Sequence, residues 1–519
     1  MAASRLRVAV IGAGGAGLCS ARHILSRPVT FEPPVVFEMS GEVGGTWVYT
    51  EEVGGNSRVH SSMYRDLRTN LPKEIMEFPD FAFDPSLPSF IHHSEVLRYL
   101  EDYADHFSIR PHIKFNTRVV SVSPVAVEGE GETVSWRVTS DTQGDDDPVT
   151  EEFDAVMVCV GHYSQPLMPE IEGLQSFQGQ VVHSHYYRFP EVFASRSVVL
   201  LGGGPSGIDI AIELSSHAKH VTLSCRGSTL RQAPPENASL ESNVALTCRG
   251  PPLQWTPPEN VLVVPPVVRA SPTSLVCEDG TEVAADTFIF CTGYKYYYPF
   301  LLPGDEVMVS QQEDQREELL RKNTDFQEEK LEFEKGLELN EETLKREDIF
   351  NVKSGFSKRD LLEGEDTVGP GVEPGHLPPL YKHLIHARYP SMCFIGAVKI
   401  VVPFPLFHCQ VQFFLSVLEG KCKLPSPEQM LSESREEVRT TQSSGTALKY
   451  LHRLGPKQWE YNQWLADTAG FEPLAPVLGK LYEGIRVFRS ANPILYRKLN
   501  IRILNREEYD IDDQEMHLA

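Results

Sequence analysis

The chain has no CxxC pair, no long apolar run and a deficit of basic side chains. Its nine cysteines are dispersed from Cys19 to Cys422. An odd, scattered set of this kind reads as free thiols in a reducing compartment and excludes a disulfide-stapled scaffold. The start, Met1-Ala-Ala-Ser-Arg-Leu-Arg7, offers no apolar h-region before a cleavage site, so no secretory signal is expected. The most apolar stretch, Phe394–Leu418, is interrupted by Lys399, Pro403, Pro405 and His408 and reads as buried core, not as a membrane span. No integral membrane anchor is expected. A cytoplasmic location is, with peripheral membrane association left open. Lys and Arg number 48 against 72 Asp and Glu, a formal charge of −24. That balance speaks against a general nucleic-acid binder, whose affinity comes from neutralising phosphates. The sequon Asn237-Ala-Ser, without a secretory signal, reads as chance.

What is present is ordinary for a globular protein: 41% hydrophobic, 23% charged and 9% aromatic residues. This composition excludes wholesale disorder, a collagen-like fibre and a coiled coil. A length of 519 residues corresponds to about two to four domains. The acidity is local. Residues 141–152 carry six acids and no base, 305–366 carry 20 acids and 10 bases, and 506–519 carry six acids and one base, which leaves the remainder nearly neutral. Residues 305–366 place Glu317/Arg321, Glu318/Lys322, Glu341/Lys345 and Glu342/Arg346 at i,i+4 but show no clean apolar stripe. They read as an exposed insertion, partly helical or disordered.

The chemistry lies in a pattern that occurs twice. Arg7–Ile11 is an apolar β run that stops at Gly12-Ala13-Gly14-Gly15-Ala16-Gly17; Leu18–Leu25 then reads as a helix and Pro34–Glu38 as a strand. Strand, glycine turn, helix, strand is the βαβ unit of a parallel sheet. Such a turn lets a pyrophosphate approach backbone N–H groups at a helix N-terminus, where the dipole favours anions. Glu38 ends the second strand, where a carboxylate accepts hydrogen bonds from a ribose diol. The pattern restarts about 190 residues later: strand Ser197–Leu201, turn Gly202-Gly-Gly204-Pro-Ser206-Gly207, helix Ile208–Leu214 and strand His220–Ser224. This time the strand is followed by Cys225-Arg226 instead of an acid. A guanidinium pairs with a ribose 2′-phosphate that a carboxylate would repel. The first site is therefore expected to take an unphosphorylated dinucleotide such as FAD or NAD, and the second NADP(H). Ser206 and Asp209, in the first helical turn, either touch the same cofactor or cap the helix.

Two dinucleotides in one chain imply hydride transfer to a second carrier, most economically a flavin. With no CxxC near either turn, a dithiol relay is disfavoured. Three further local readings are a helix over His92–Phe107 with Ser94 as N-cap, strands near Arg118–Ser123, Thr133–Thr139, Ala155–Val160 and Thr287–Phe290, and a mostly helical C-terminal section. The expected fold is α/β with two Rossmann-like dinucleotide-binding domains. An FAD domain (1–171 and 299–519) is interrupted by an NADP domain (172–298).

Several further motifs together resemble those of the flavin-containing monooxygenases, over most of residues 5–300 and 376–425. Gly44-Gly-Thr46-Trp47 is similar to the family's GGxW. Tyr64-Arg-Asp-Leu-Arg-Thr69-Asn70, Lys73-Glu74 and Phe78-Pro-Asp-Phe81 resemble its YxxLxTN…KE…FxDF block. Phe177-Gln-Gly179-Gln-Val-Val-His183-Ser-His-Tyr-Tyr187 matches the FxGxxxHxxxY fingerprint, with Tyr where Baeyer–Villiger relatives usually carry Trp. Cys291-Thr-Gly-Tyr294 resembles the (A/C)TGY segment. Tyr381–Leu406 and Gln410 look most like the branch of plant glucosinolate S-oxygenases and insect alkaloid N-oxygenases. The resemblance implies an N,N-dimethylaniline-type monooxygenase that uses NADPH, FAD and O2. A C4a-hydroperoxyflavin, shielded by bound NADP+, would oxygenate an amine nitrogen or sulfide sulfur of a small lipophilic compound, as in xenobiotic N- and S-oxidation. It places Asn70 between flavin and nicotinamide as the catalytic residue, with Thr69 and Leu71 beside the cofactors and Trp47 on the flavin or in the core. Asn70 before Leu71-Pro72 also reads locally as a helix N-cap. Phe177 and His183 would link the domains or serve as structural residues; Ile208 would line the NADP turn. His408 departs from the family by standing where relatives often have Glu, near the expected flavin edge. The rival functions are a Baeyer–Villiger-type oxygenase, an uncoupled NADPH oxidase and a catalytically silent dinucleotide-binding protein. Monomer and homodimer both stay open.

Overall fold

The computed structural model describes residues 4–512 except 52, 54–60, 126–133, 145–146, 227–257, 259, 302–376 and 492. The 305–366 insertion, the 513–519 end of the acidic tail, Asn237, Thr133 and most of the Asp145–Asp147 turn lie outside the described residues.

Strand β1 (Val8–Ile11) is buried along its length and pairs in parallel with β2 (Val35–Phe37); β3 (Ile113–Lys114) follows β2. A meander of β4 (Thr117–Val125), β5 (Ser135–Thr142) and β6 (Val149–Phe153) leads to β7 (Ala155–Val158), which pairs in parallel with the other side of β1. Runs such as Val8-Ala-Val-Ile11 and Ala155-Val-Met-Val158 are apolar at every position because a parallel sheet is covered on both faces. The chain then leaves through β8 (Gln165–Pro166) to a second sheet. Its strands are β9 (Gln180–His183), β10 (Ser197–Leu201), β11 (His220–Ser224), β12 (Val261–Val264) and, after the meander β13–β15 (Val267–Ala270, Ser274–Cys277, Glu282–Ala284), β16 (Thr287–Phe290). The order is β12-β11-β10-β16-β9, all parallel. β17 (Tyr294–Lys295) pairs with β8, so the outgoing and returning chains meet in one ribbon. β18 (Leu380–Tyr381), β19 (Ile385–His386) and β20 (Met392–Phe394) then rejoin the first sheet beside β7. A hairpin, β21 (Asn500–Ile503) and β22 (Tyr509–Asp512), closes the described chain.

The helices are α1 (Gly15–Leu25), α2 (Lys73–Met76), α3 (His93–His106), α4 (Pro205–Ser215), α5 (Pro403–Leu418), α6 (Pro427–Ser443), α7 (Gln458–Ala469) and α8 (Pro476–Ala491). The C-terminal section is helical, as the sequence implies. α1 and α4 start three residues before the apolar periodicity, inside the glycine turns themselves. Two expected caps fall elsewhere. His92, not Ser94, caps α3, its side chain accepting the Ser94 N–H, and α2 begins from Pro72, which leaves Asn70 outside the cap. α5, read as buried core, spans 16 residues, buries Phe404, Leu406, Phe413 and Phe414, and packs against α1. Among the described residues no helix is long and apolar enough to cross a membrane.

Candidate active site

The first glycine turn is fixed by contacts that admit no side chain. Gly12 has φ +104°, and a Cβ there would stand 2.7 Å from the Cys159 carbonyl oxygen at the end of β7; a Cβ on Gly17 would stand 1.8 Å from the Gly12 carbonyl oxygen. Ala13 and Ala16 are buried. The buried Glu38 carboxylate accepts the Ala13 N–H through Oε2 and the Ser40 N–H through Oε1, each at 2.8 Å. It thus organises the turn while keeping lone pairs for another donor. The Ala13 carbonyl accepts the Gly44 N–H at 3.1 Å, and Gly14 and Gly45 face one another closely enough that a Cβ on Gly45 would meet the Gly14 Cα at 3.0 Å. The 3₁₀ turn Gly45–Trp47 follows, with Thr46 Oγ1 3.4 Å from Ser62 Oγ and the half-buried Trp47 ring against the core around α1.

The second turn repeats this geometry. Gly202 has φ +126° with a would-be Cβ 2.4 Å from the Cys291 carbonyl oxygen, and a Cβ on Gly207 would lie 1.8 Å from the Gly202 carbonyl oxygen. Gly204 faces open space, Ser206 is exposed and Ile208 half-buried. Neither α1 nor α4 has a capping side chain or an acid in its first turn. Ser206 is therefore not a cap. The first-turn N–H groups, which have no intrahelical partner, remain for an external anion. Arg226, exposed past the end of β11, points one nitrogen at the Tyr450 hydroxyl, 3.5 Å away. Lys449 and Arg453 lie over the same ring at 5.3 and 4.7 Å. Burial pushes the Tyr450 hydroxyl up, but Lys449, Arg226 and Arg453 together bring it below its ordinary range. Three cations here pair with no carboxylate among the described residues, although the chain is acidic.

Between the two turns runs the segment Tyr64–Leu71. Asn70 is half-buried; its amide has no hydrogen-bond partner among the described residues, while its carbonyl accepts from Arg489 at 3.3 Å. Thr69 is buried, its Oγ1 accepting the Ile91 N–H, and Leu71 packs between two core clusters. Asp209 in α4 has its two oxygens taken by Arg497 (3.1 and 2.7 Å) and by the Tyr64 hydroxyl (3.1 Å). Arg497 also donates to the Thr69 carbonyl at 3.1 Å. The fingerprint residues tie the same elements together. Tyr187 stacks edge-on to Tyr64 at 5.6 Å and donates to Glu213 of α4 at 2.6 Å. Buried Arg188 donates to the carbonyls of Thr50, His185, Tyr187 and Ser61. His183 accepts the His185 N–H on Nδ1 and so donates from Nε2 to the Gly293 carbonyl, while burial lowers its pKa to about 4. A neutral imidazole in that bonding joins strand ends and is not poised to move protons. Phe177 is fully buried in the second core, with no room for a Cβ on Gly179 beside it. Arg188, Arg497, Lys449 and Arg453 carry no motif signal: Arg497 meets Asp209 across 288 residues of sequence.

Burial raises the Glu213 carboxyl to about 7 despite the Tyr187 hydroxyl bonded to it. A raised carboxyl favours folding below its unfolded value and loses that contribution as pH rises through 7. Glu213→Gln keeps the acceptor for Tyr187 and is expected to raise the melting temperature by about 1–3 °C at pH 8 and to leave it unchanged at about pH 4, below the unfolded value, in calorimetric scans at both pH values.

His408 lies away from the first glycine turn, against the last turn of α1, about two helical turns along it. His23 Nε2 stands 3.2 Å from His408 Nδ1, and with Asp80 their ligand atoms fall within 4.8 Å of one another, a triple that sequence spacing does not reveal. Arg22 takes the Asp80 carboxylate at 2.6 Å and donates toward His23 Nδ1 at 3.4 Å. Its charge makes this cluster a hydrogen-bonded chain ending on Gln412, instead of a cation site. Gln410, by contrast, is fully buried, holding the Gly396 N–H and the Tyr461 hydroxyl.

Residues 5–237 match the family model described as flavin-binding monooxygenase-like. The chain is 33% identical over 514 residues to Flavin-containing monooxygenase FMO GS-OX-like 4 of Arabidopsis thaliana, covering 94% of this chain and 93% of that one. It is 34% identical to FMO GS-OX-like 2 of the same plant, covering 89% and 85%. Among solved structures it resembles S-allyl-L-cysteine S-oxygenase from Allium sativum (27% identity, TM-score 0.71, covering 100% and 98%) and Tmm from Pelagibacter (25%, 0.66, covering 95% and 92%). Cyclohexanone monooxygenase, at 18% identity and a TM-score of 0.52, shares the fold. Two Rossmann-type turns, a fingerprint whose Tyr187 joins Tyr64 to Glu213 of α4 and relatedness along nearly the whole chain place this protein in the flavin-containing monooxygenase family, whose cofactors are FAD and NADPH.

Proposed function

We propose that the protein is an N- or S-oxygenase of small lipophilic molecules, of the N,N-dimethylaniline type, that consumes NADPH and O2. The net reaction converts substrate, NADPH, H+ and O2 into oxygenated substrate, NADP+ and water. The observation that carries this reading is the pairing of two unlike glycine cradles, one answered by Glu38 and the other by Arg226. Bound FAD supplies the oxygen-activating chemistry; the chain supplies position and exclusion of water. Residues 1–171 and 299–519 form the FAD domain and 172–298 the NADP domain. Gly12, Ala13, Gly14, Gly15, Ala16 and Gly17 cradle the FAD pyrophosphate, Glu38 accepts its ribose hydroxyls, and Thr46 and Trp47 line its far side. Gly202, Gly204, Ser206, Gly207 and Ile208 border the NADPH pyrophosphate, with Arg226 on the 2′-phosphate. Asn70, whose amide has no partner among the described residues and which Thr69 and Leu71 flank, would donate at the reacting face.

Parallel assays of NADPH consumption, H2O2 release and product formation on a thioether, a tertiary amine and a cyclic ketone test the reading. Oxygenated sulfide or amine with little H2O2 supports it; lactone alone, or stoichiometric H2O2 with every compound, replaces it. Arg226→Ala removes a charged hydrogen bond of about 1.5–3 kcal/mol, so kcat/KM for NADPH is expected to fall about tenfold to a hundredfold while that for NADH stays constant. Equal losses with both cofactors would move the 2′-phosphate elsewhere.

A further inference from the structure

We propose that Arg497, from the C-terminal section, is a positioning residue that latches the Asn70 segment to the NADP-side helix α4 and so couples NADPH oxidation to oxygen transfer. The inference rests on the two-cofactor reading above. Its geometry is independent of any ligand.

One guanidinium makes both halves of the bridge. Toward α4 it grips Asp209 with two nitrogens in parallel, at 3.1 and 2.7 Å. Toward the other side Nε donates to the Thr69 carbonyl at 3.1 Å, and NH2 lies 3.4 Å from the Arg68 carbonyl. A planar fork with five donors in fixed directions can satisfy a carboxylate and a strand at once, which an ammonium cannot. The side chains of Arg497 and Asp209 are only 19% and 16% exposed. Tyr64, at the start of the same segment, places its hydroxyl on Asp209 as well. Arg489 adds a bond to the Asn70 carbonyl. The peptide units on both sides of Asn70 are thereby held from α8 and the turn after it, while the Asn70 side-chain amide has no hydrogen-bond partner among the described residues. Asp209 sits two residues past Gly207, just beyond the first turn of α4, with both oxygens engaged by Arg497 and Tyr64, and its charge would repel a cofactor phosphate. It is the α4 anchor of the latch.

The consequence is a fixed distance between the nicotinamide side of α4 and the residue assigned to the reacting face. A misplacement of about 1 Å at such a residue costs on the order of a hundredfold in rate, whereas cofactor binding through the glycine turns does not depend on it. In the FAD-loaded enzyme, Arg497→Gln is expected to lower product formation about tenfold or more. NADPH oxidation continues, the missing turnover emerges as H2O2, and KM for NADPH changes by less than about threefold. Arg497→Lys, able to reach one acceptor at a time, falls between. Asp209→Asn, the gentler change should Arg497→Gln fold poorly, shifts coupling in the same direction. A readout independent of turnover is amide hydrogen exchange in the apo-protein: residues 66–72 should exchange faster in Arg497→Gln with the first sheet unchanged. Wild-type coupling and unchanged exchange at 66–72 in folded Arg497→Gln and Asp209→Asn would overturn the latch. Wild-type protein that oxidises no NADPH would instead overturn the two-cofactor reading, and the exchange experiment would still judge the latch.

Discussion

Asn70→Ala is expected to abolish oxygenation while leaving FAD bound and NADPH oxidised. The removed amide is the one polar side chain of the Thr69–Leu71 turn with no partner among the described residues. No contact among the described residues depends on it: α2 starts from Pro72, and the backbone of the segment is held by Arg489 and Arg497 through carbonyls. A single oriented donor lost from a water-excluded reacting site costs about 10²–10³ in turnover, and the lost product should be recovered as H2O2. Melting temperature and flavin absorption should match the wild type. Product yield per NADPH within a factor of two or so of wild type would remove Asn70 from the catalytic position, and a lower melting point would return it to a structural one.

The two third glycines give the second large effect, and they separate the cofactors. Gly17→Ala places a methyl 1.8 Å from the Gly12 carbonyl, and Gly207→Ala does the same against Gly202. In each case the obstructing atom is backbone, bound into a sheet on one side and a helix on the other, so it cannot swing away. The forced displacement costs about 1–3 kcal/mol or more and carries the helix N-terminus off the phosphate line, lowering affinity for the dinucleotide at least about ten- to a hundredfold. Gly17→Ala should purify colourless and melt lower, since α1 lies in the main core with Leu18 and Ile24. Gly207→Ala should purify yellow, be reduced by dithionite but not by NADPH, and melt close to wild type once FAD is present. Loss of flavin from Gly207→Ala, or normal NADPH reduction by it, would reverse the assignment of the two turns.

Much of this was legible in residue order. Gly12–Gly17 and Gly202–Gly207 read as paired turns because tight backbone approach tolerates only glycine, and the structure shows the clashing carbonyl at each. Glu38 announced itself by following an apolar strand, and its carboxylate indeed faces the turn. Local reading failed where alternatives were close in energy. Ser94 and Asn70 are good caps in isolation, but His92 and Pro72 hold those positions. The Arg497 guanidinium on Asp209 comes from 288 residues away, a partner that no local pattern announces. His408 meets His23, a contact that spacing along the chain does not announce.

Residue order alone carries the two dinucleotide turns and with them the α/β class, because each turn is encoded within some twenty neighbouring residues by backbone sterics and helix-end polarity, and it carries the family resemblance through motifs spread from Gly44 to Gln410. What surrounds them is set by contacts between distant segments: Arg188 holds the Thr50 and Ser61 carbonyls, Arg497 joins Thr69 to Asp209 of α4, Tyr450 gathers Arg226, Lys449 and Arg453, and Glu213 is buried enough for its carboxyl to be raised to about 7. Arginine and glutamate at an amphipathic surface look alike in sequence whether they meet water or each other. The choice is made by desolvation and by partners that arrive from hundreds of residues away.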